Sequence, residues 1–315
     1  MRIFRHDSVA AAERGAVVAI GNFDGVHLGH QAVIGEAGRI ARAERAPHAV
    51  LTFEPHPRRV FRPDDPPFRL TPFRSKAQAI EALGVDLLFT LHFDRAFAGL
   101  SAEEFIDSVL VRHLGVRHVA VGFDFTFGQG RHGTAALLAA EGRARGFGVT
   151  IVEPVKAAGG AVYSATRIRE HLVAGRPREA AALLGRFWEI EGRVERGDRR
   201  GQSIGFPTAN LGLDDYLRPA AGVYAVRAGV ETEDRLLWHD GVANLGWRPT
   251  FGGRDLRLEV HIFDFAADLY GRHLRVALIE HLRPEQKFSG IDALKAQIAT
   301  DAAQARVILK TLPAF

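Results

Sequence analysis

The chain has 315 residues, 47% of them hydrophobic and 25% charged, and contains no cysteine. That length favours two domains of ordinary size over one, and the missing cysteines exclude disulfides and thiolate metal sites and give no sign of secretion. The 41 Lys and Arg against 37 Asp and Glu leave a net charge of +4, and no dense basic tract with interleaved aromatics makes that a nucleic-acid footprint.

The first residues, MRIFRHDSVAAAERG, carry scattered charges and no apolar core, so they do not read as a signal peptide. No apolar run reaches the roughly 18–20 residues that span a bilayer. A cytoplasmic protein with neither a membrane nor a nucleic-acid partner is expected; a homo-oligomer stays open.

From Ala16 to about Val155, short apolar strands alternate with helical stretches. AVVAIG precedes a helical pattern from Gln31 to Ala46, and HAVLTF follows from His48. SKAQAIEAL precedes VDLLFTL, SAEEFIDSVLVRHL precedes HVAVG, and TAALLAAEGRAR precedes GVTIVEPV. This alternation predicts a parallel sheet covered on both faces, with ligands at the carboxyl ends of its strands. Three stretches fall at such ends: GNFDGVHLGH (21–30), FEPHP (53–57) and GFDFTFGQGRHG (122–133).

After the helical pair SATRIREHLVAG and PREAAALL the pattern changes. FWEIEGRVERG, GVYAVRAGV, RLLWHDGVANLG, DLRLEVHIFDF and HLRVALIEHL read as strands without intervening helices, so an antiparallel barrel or sandwich is expected. A last helix runs from about Gly290 to Leu312. The boundary falls near Leu184–Phe187, giving domains 1–185 and 186–315.

The first of the three stretches is a strand-to-helix turn, which offers unpaired backbone N–H groups and the positive end of a helix dipole to an anion. Gly21, Gly25 and Gly29 let a ligand approach the backbone closely. His27 and His30 share one face of the helix start and suit charge developing on a transferred phosphorus and its leaving group. Two histidines can also form half of a metal site, but no third ligand follows at a convincing spacing. The GKS or GKT of a P-loop is missing.

In the second half, GDRRGQSIGFPTANL (197–211) brackets basic residues with glycines and ends on Thr208 and Asn210, which alternation puts on one side. Their oxygens suit Mg²⁺, which keeps waters and substrate phosphates as its other ligands; a solvated loop is the plainer alternative. In LEVHIFDF, Leu258, Val260 and Ile262 alternate with Glu259, His261 and Phe263. Glu259 is either a solvent-facing strand residue or, beside a hydroxyl substrate, a proton acceptor.

HLGH (27–30) within GNFDGVHLGHQ resembles the HxGH signature of the FMN adenylyltransferase branch of the nucleotidyltransferases. YSATRIR (163–169) resembles that superfamily's second motif, with Ser164, Thr166 and Arg169 in step and Ala165 in place of a second serine. The lost hydroxyl implies a weaker phosphate grip rather than lost activity. VGFDFTFGQGRHG resembles the branch's flavin-side signature, and FEPHP matches it too. The motifs GFPTAN, GVYAV, GVANLGWRPTF, LEVHIFDF, LYG and LRPEQKF resemble, in order, the riboflavin kinase domain.

Together the chain is similar to the prokaryotic bifunctional riboflavin kinase/FAD synthetase family. The resemblance implies an α/β nucleotidyltransferase domain with a Rossmann-like parallel sheet, then a six-stranded antiparallel β-barrel of riboflavin kinase type with a terminal helix. It implies that ATP and Mg²⁺ are used, that riboflavin is the substrate, and that FMN and FAD are made. It assigns catalysis to His27, His30 and Glu259, and the metal to Thr208 and Asn210. ATP and phosphate contacts fall to Gly21, Asn22, Phe23, Asp24, Gly25, Gly29, Ser164, Thr166, Arg167, Arg169, Gly197, Arg200 and Gly201. Flavin contacts fall to Phe53, His56, Pro57, Asp124, Phe125, Phe127 and Arg131. The alternatives are a kinase with a weakened or inactive adenylyltransferase site, and a non-catalytic flavin- or nucleotide-binding regulator.

Overall fold

The computed structural model describes residues 1–5, 13–155, 160, 162–196, 205–232, 235–250 and 253–313. Of the expected site residues, Gly197, Arg200 and Gly201 lie outside them. The chain divides into two compact units: Met1–Pro66 with Thr71–Ser164, and Pro67–Leu70 with Ala165–Phe315.

The first unit carries, in chain order, β1 (Arg2–Arg5), β2 (Val17–Ile20), α1 (Leu28–Glu44), β3 (His48–Glu54), α2 (Pro57–Phe61), α3 (Phe73–Glu81), β4 (Leu87–His92), α4 (Arg95–Ala98), α5 (Ala102–Phe105), β5 (His118–Gly122), β6 (Thr126–Phe127), β7 (Gly133–Thr134), α6 (Ala135–Arg145) and β8 (Gly148–Val152). The six-stranded sheet runs β1-β4-β3-β2-β5-β8 with every neighbouring pair parallel. Successive strand residues face opposite sides. Val18, Ile20, Ala49 and Leu51 enter one core with Ile106, Leu110 and Leu138, while Val17, Ala19 and Val50 enter another with Ile34, Ala37 and Ile80. Burial on both faces explains why these strands read as continuous apolar runs.

The stretch expected as one helix from Ser101 to Leu114 begins on a Ser101/Glu104 capping box and continues past α5 as π-helical turns over Ile106–Leu114. The chain order departs in both directions from β2, toward β3 on one side and β5 on the other. That reversal is the switch point at which open α/β sheets bind ligands.

The second unit holds α7 (Ala165–Val173), α8 (Pro177–Leu184), β9 (Glu189–Arg193), β10 (Ala209–Gly212), β11 (Gly222–Glu231), β12 (Leu236–Thr250), β13 (Gly253–Ile262), β14 (His273–Arg283) and α9 (Ile291–Lys310). Its antiparallel sheet runs β10-β13-β12-β11-β14-β9. β11, β12 and β13 form consecutive hairpins and β14 returns beside β11, which is a Greek key. Past β9, Glu195 bridges Asn210 at the start of β10, with Glu195 N–H donating to the Asn210 carbonyl at 2.9 Å. That bridge brings the first and last strands of the sheet together as a barrel.

Ala305 and Leu309 of α9 pack on Val223, Ala225, Val242 and Ile279. Buried Arg227 caps the helix end, donating to the Leu309 and Leu312 carbonyls at 3.2 Å each. Ile291, at the first turn of this helix, is exposed. The short segment Pro67–Leu70 belongs here because Arg169 Nε donates to the Phe68 carbonyl (2.8 Å), Leu217 N–H to the Arg69 carbonyl (2.8 Å) and Trp188 Nε1 to the Leu70 carbonyl (2.7 Å).

Candidate active sites

At the switch point, loops leave the same edge of the sheet from three adjacent strands, β3, β2 and β5. The loop after β2 is tightly built. Gly21 N–H donates to the Leu51 carbonyl (3.1 Å), and Phe23, Gly25 and Val26 all adopt positive φ, at 48°, 83° and 44°. Two non-glycine residues in this region are uncommon. Burial of Phe23 and Val26 in the core holds them there.

Asp24 is buried and accepts from Thr71 N–H at 3.0 Å, while Thr71 Oγ1 accepts from Gly25 N–H at 2.8 Å. The carboxylate at position 24, expected near ATP, thus also clamps the turn to Thr71. Gly21, Gly25 and Val26 N–H are thereby spent within the fold, on the Leu51 carbonyl, Thr71 Oγ1 and the Phe23 carbonyl (3.2 Å).

His27 caps α1, its Nδ1 accepting from His30 N–H at 3.3 Å. The two imidazoles stack with ring centroids 3.6 Å apart and planes 19° apart. A Cβ on Gly29 would lie 3.2 Å from the His27 ring and 3.5 Å from Tyr163 Cβ, so only glycine fits comfortably. Tyr163, the residue before Ser164, thus lies beside the histidine turn. The expected motif divides here: Ser164 closes the first unit, and Thr166, Arg167 and Arg169 ride on α7 of the second.

Near the end of β3, Phe53 is buried among Phe93 and Phe97. His56 caps α2 by accepting from Arg58 N–H at 3.1 Å, with Pro57 as the first helical residue. The Glu54–Pro55 peptide is cis. Phe61, at the end of α2, is exposed and edge-on to Phe93 at 5.9 Å. After β5, Asp124 and Arg131 are exposed, and Arg131 Nε donates to Thr126 Oγ1 at 2.9 Å. Phe125 and Phe127 stack at 5.4 Å. Gly128 has no room for a side chain, since a Cβ would come within 2.8 Å of Ala102 N.

In the second unit the register places Asn210 of β10 directly opposite Glu259 of β13, and Glu259 directly opposite Asn244 of β12. Side chains at opposed positions share a face about 4.5–5.5 Å apart, so the row reads Asn210, Glu259, Asn244. Each of the three is partly exposed. Their strand neighbours Leu211, Leu258 and Leu245 are fully buried on the other face. Asn244 was not among the expected residues; only the pairing reveals it.

Thr208 lines a cavity of about 330 Å³ with Val194, Ala209, Val260, Ile262 and Tyr270. Among the described residues no group of three or more His, Cys, Asp and Glu could hold a metal ion. The donors expected for a metal are the Thr208 and Asn210 oxygens, two residues apart at the start of β10. Such a hard-oxygen set fits Mg²⁺ completed by water and phosphate.

The FAD synthetase family model matches residues 9–166, and the riboflavin kinase model matches residues 184–309. The chain is 44% identical over 308 residues to the bifunctional riboflavin kinase/FMN adenylyltransferase of Escherichia coli K12, covering 97% of each. The chain belongs to the bifunctional riboflavin kinase/FMN adenylyltransferase family.

Another member of the riboflavin kinase/FMN adenylyltransferase family, from Bacillus subtilis, is 40% identical over 307 residues, covering 95% of this chain and 94% of that one. A crystal structure described as a macrolide-efflux protein from Streptococcus pneumoniae superposes with a TM-score of 0.85 at 33% identity, over 96% of this chain and 98% of that one. Among the described residues of this family member, no helix is long and apolar enough to cross a membrane.

Proposed function

We propose that the chain makes FAD from riboflavin in two steps. The second unit transfers the γ-phosphoryl group of ATP to the terminal ribityl hydroxyl. The first unit then joins AMP from a second ATP to the FMN formed. Identity of 44% across 97% of a relative that bears both activities in its name carries this reading.

In the kinase step Glu259 accepts the hydroxyl proton as oxygen attacks the γ-phosphorus and the bond to ADP breaks. Asn210 and Asn244 flank it in register on the same face of the sheet. The cavity beside Thr208 receives the nucleoside of the donor, being of the size and apolar lining that small-molecule sites have. Thr208 and Asn210 would hold Mg²⁺, which when bound neutralises phosphate charge.

In the adenylyl step a phosphate oxygen of FMN attacks the α-phosphorus and pyrophosphate leaves. His27 and His30 donate to the charge that develops there, and the positive end of the α1 dipole, to which the turn after β2 leads, holds the phosphates. Phe125, Phe127, His56 and exposed Phe61 line the flavin side of the same sheet edge. The two activities divide near residue 185, a reading supported by the family-model bounds at 166 and 184.

Isotope placement tests the scheme. Label from γ-phosphate should enter both FMN and FAD, and label from α-phosphate only FAD. Label from α-phosphate appearing in FMN would contradict it.

A further inference from the structure

Lys76 of α3 is fully buried, and the chemistry above makes no use of it. Its Nζ lies 3.0 Å from Glu54 Oε1 and 3.4 Å from Thr52 Oγ1, both near the carboxyl end of β3. The Thr52 hydroxyl, itself buried, donates to the Asn22 carbonyl at 3.2 Å. Asn22 is the second residue of the turn after β2.

Burying an ammonium costs several kcal/mol, and a buried ion pair is often no more stabilising than well-packed apolar residues. A methionine or leucine would fill this place in α3 at less cost, so stability does not explain a lysine. Direction does. An ammonium only donates, so Lys76 occupies a lone pair of the Thr52 oxygen and turns the hydroxyl proton toward Asn22. The chain of bonds therefore has one polarity, from Lys76 through Thr52 to the Asn22 carbonyl. The trans peptide is planar, so anchoring that carbonyl sets the Phe23 N–H on the opposite side of the peptide. Phe23, Gly25 and Val26 then continue the turn in their positive-φ conformations.

We propose that Lys76, acting through Thr52, is a positioning residue of adenylyl transfer that fixes the first peptide of the phosphate-holding turn. The inference rests on the reading of that turn as the adenylyl-transfer site. Lys76 touches no substrate in this account; its effect reaches the reaction only through the backbone.

The full-length protein offers its own control, because riboflavin phosphorylation resides in the other unit. The test compares Thr52→Val, Thr52→Ser and Lys76→Met, measuring kcat and KM for FMN to FAD and the kinase rate in parallel. The expected result is about a tenfold loss of kcat for Thr52→Val, equivalent to roughly 1.4 kcal/mol, with KM for FMN within about twofold. Thr52→Ser should stay within about threefold of the unaltered chain, Lys76→Met should lose at least as much as Thr52→Val, and kinase rates should hold.

Thr52→Val preserves volume while Thr52→Ser preserves the hydroxyl, so a packing role ranks valine above serine and the positioning role ranks serine above valine. Valine at or above serine, or a kinase rate falling in parallel, overturns the inference alone. An unaltered chain that phosphorylates riboflavin but makes no FAD overturns the reading of the turn and the inference with it.

Discussion

Replacing His27 by alanine removes three separable things. The first is the cap on α1, where Nδ1 accepts from His30 N–H at 3.3 Å; losing such a cap typically costs about 1 kcal/mol. The second is the ring stack on His30 at 3.6 Å, on the order of 0.5–1.5 kcal/mol. Both act on stability, and together, at about 1.5–2.5 kcal/mol, they stay below the roughly 5–15 kcal/mol that a domain has. The third is a donor to the transition state, and losing one costs roughly 2.7–4 kcal/mol, or 10²–10³ in rate. His27→Ala should therefore remain folded, melt lower, and form FAD from supplied FMN some 10²–10³-fold more slowly. His27→Asn separates the terms, because asparagine is a good N-cap. Its melting temperature should return toward that of the unaltered chain while FAD formation stays depressed at least a hundredfold. A thermal melt reads the stability effects, and chromatography of FMN and FAD, with riboflavin phosphorylation measured on the same preparation, reads the catalytic one. FAD formation recovering together with stability in His27→Asn would refute the catalytic role and leave His27 as a cap.

Glu259→Gln keeps the shape of the Asn210–Glu259–Asn244 row and removes the base, so the kinase kcat should fall by roughly 10²–10⁴ with riboflavin KM little changed; a rate within about threefold would make Glu259 an ordinary strand residue. His48 is buried, and that burial holds its imidazole below the ordinary 6.5 even though the Gly84 and Ile34 carbonyls lie at 3.3 and 2.9 Å. The folded chain keeps His48 neutral while the unfolded chain takes up the proton below pH 6.5, so this contribution to stability is complete above that pH and declines as pH falls toward the folded-state value. His48→Gln should accordingly flatten the acid side of a urea-melt stability profile. A fragment of residues 186–315 should still phosphorylate riboflavin but be less stable than the intact second unit, because Trp188 Nε1 loses the Leu70 carbonyl, worth about 1–3 kcal/mol for a buried donor; an inactive fragment beside an active full chain would count against separable activities.

The histidine pair was legible because its meaning is local: a spacing of three at a helix start puts two rings on one face whatever surrounds them. The strands were legible for the same reason, since burial on both faces leaves continuous apolar runs. What sequence could not show depends on partners far along the chain. Asp24 reads as a ligand residue, and its second part, accepting from Thr71 47 positions on, shows only in the fold. Asn244 needs the β12–β13 register before it stands beside Glu259. Lys76 sits in a short amphipathic helix, where a lysine reads as solvent-facing, and only Glu54 and Thr52 at 3.0 and 3.4 Å show otherwise. Phe53 reads as a flavin contact by its motif, and its packing among Phe93 and Phe97 needs the fold to be seen. Residues 67–70 carry no signal of belonging with residues 165–315; their backbone carbonyls, which sequence does not vary, make the bonds.

The central claim is that one chain carries both transfers. Incubating the full-length protein with riboflavin, ATP and Mg²⁺ and resolving the flavins over time tests it directly. The account predicts FMN appearing first and FAD following at its expense, with pyrophosphate released in step with FAD. FMN accumulating with no FAD, or riboflavin left unchanged, would contradict it.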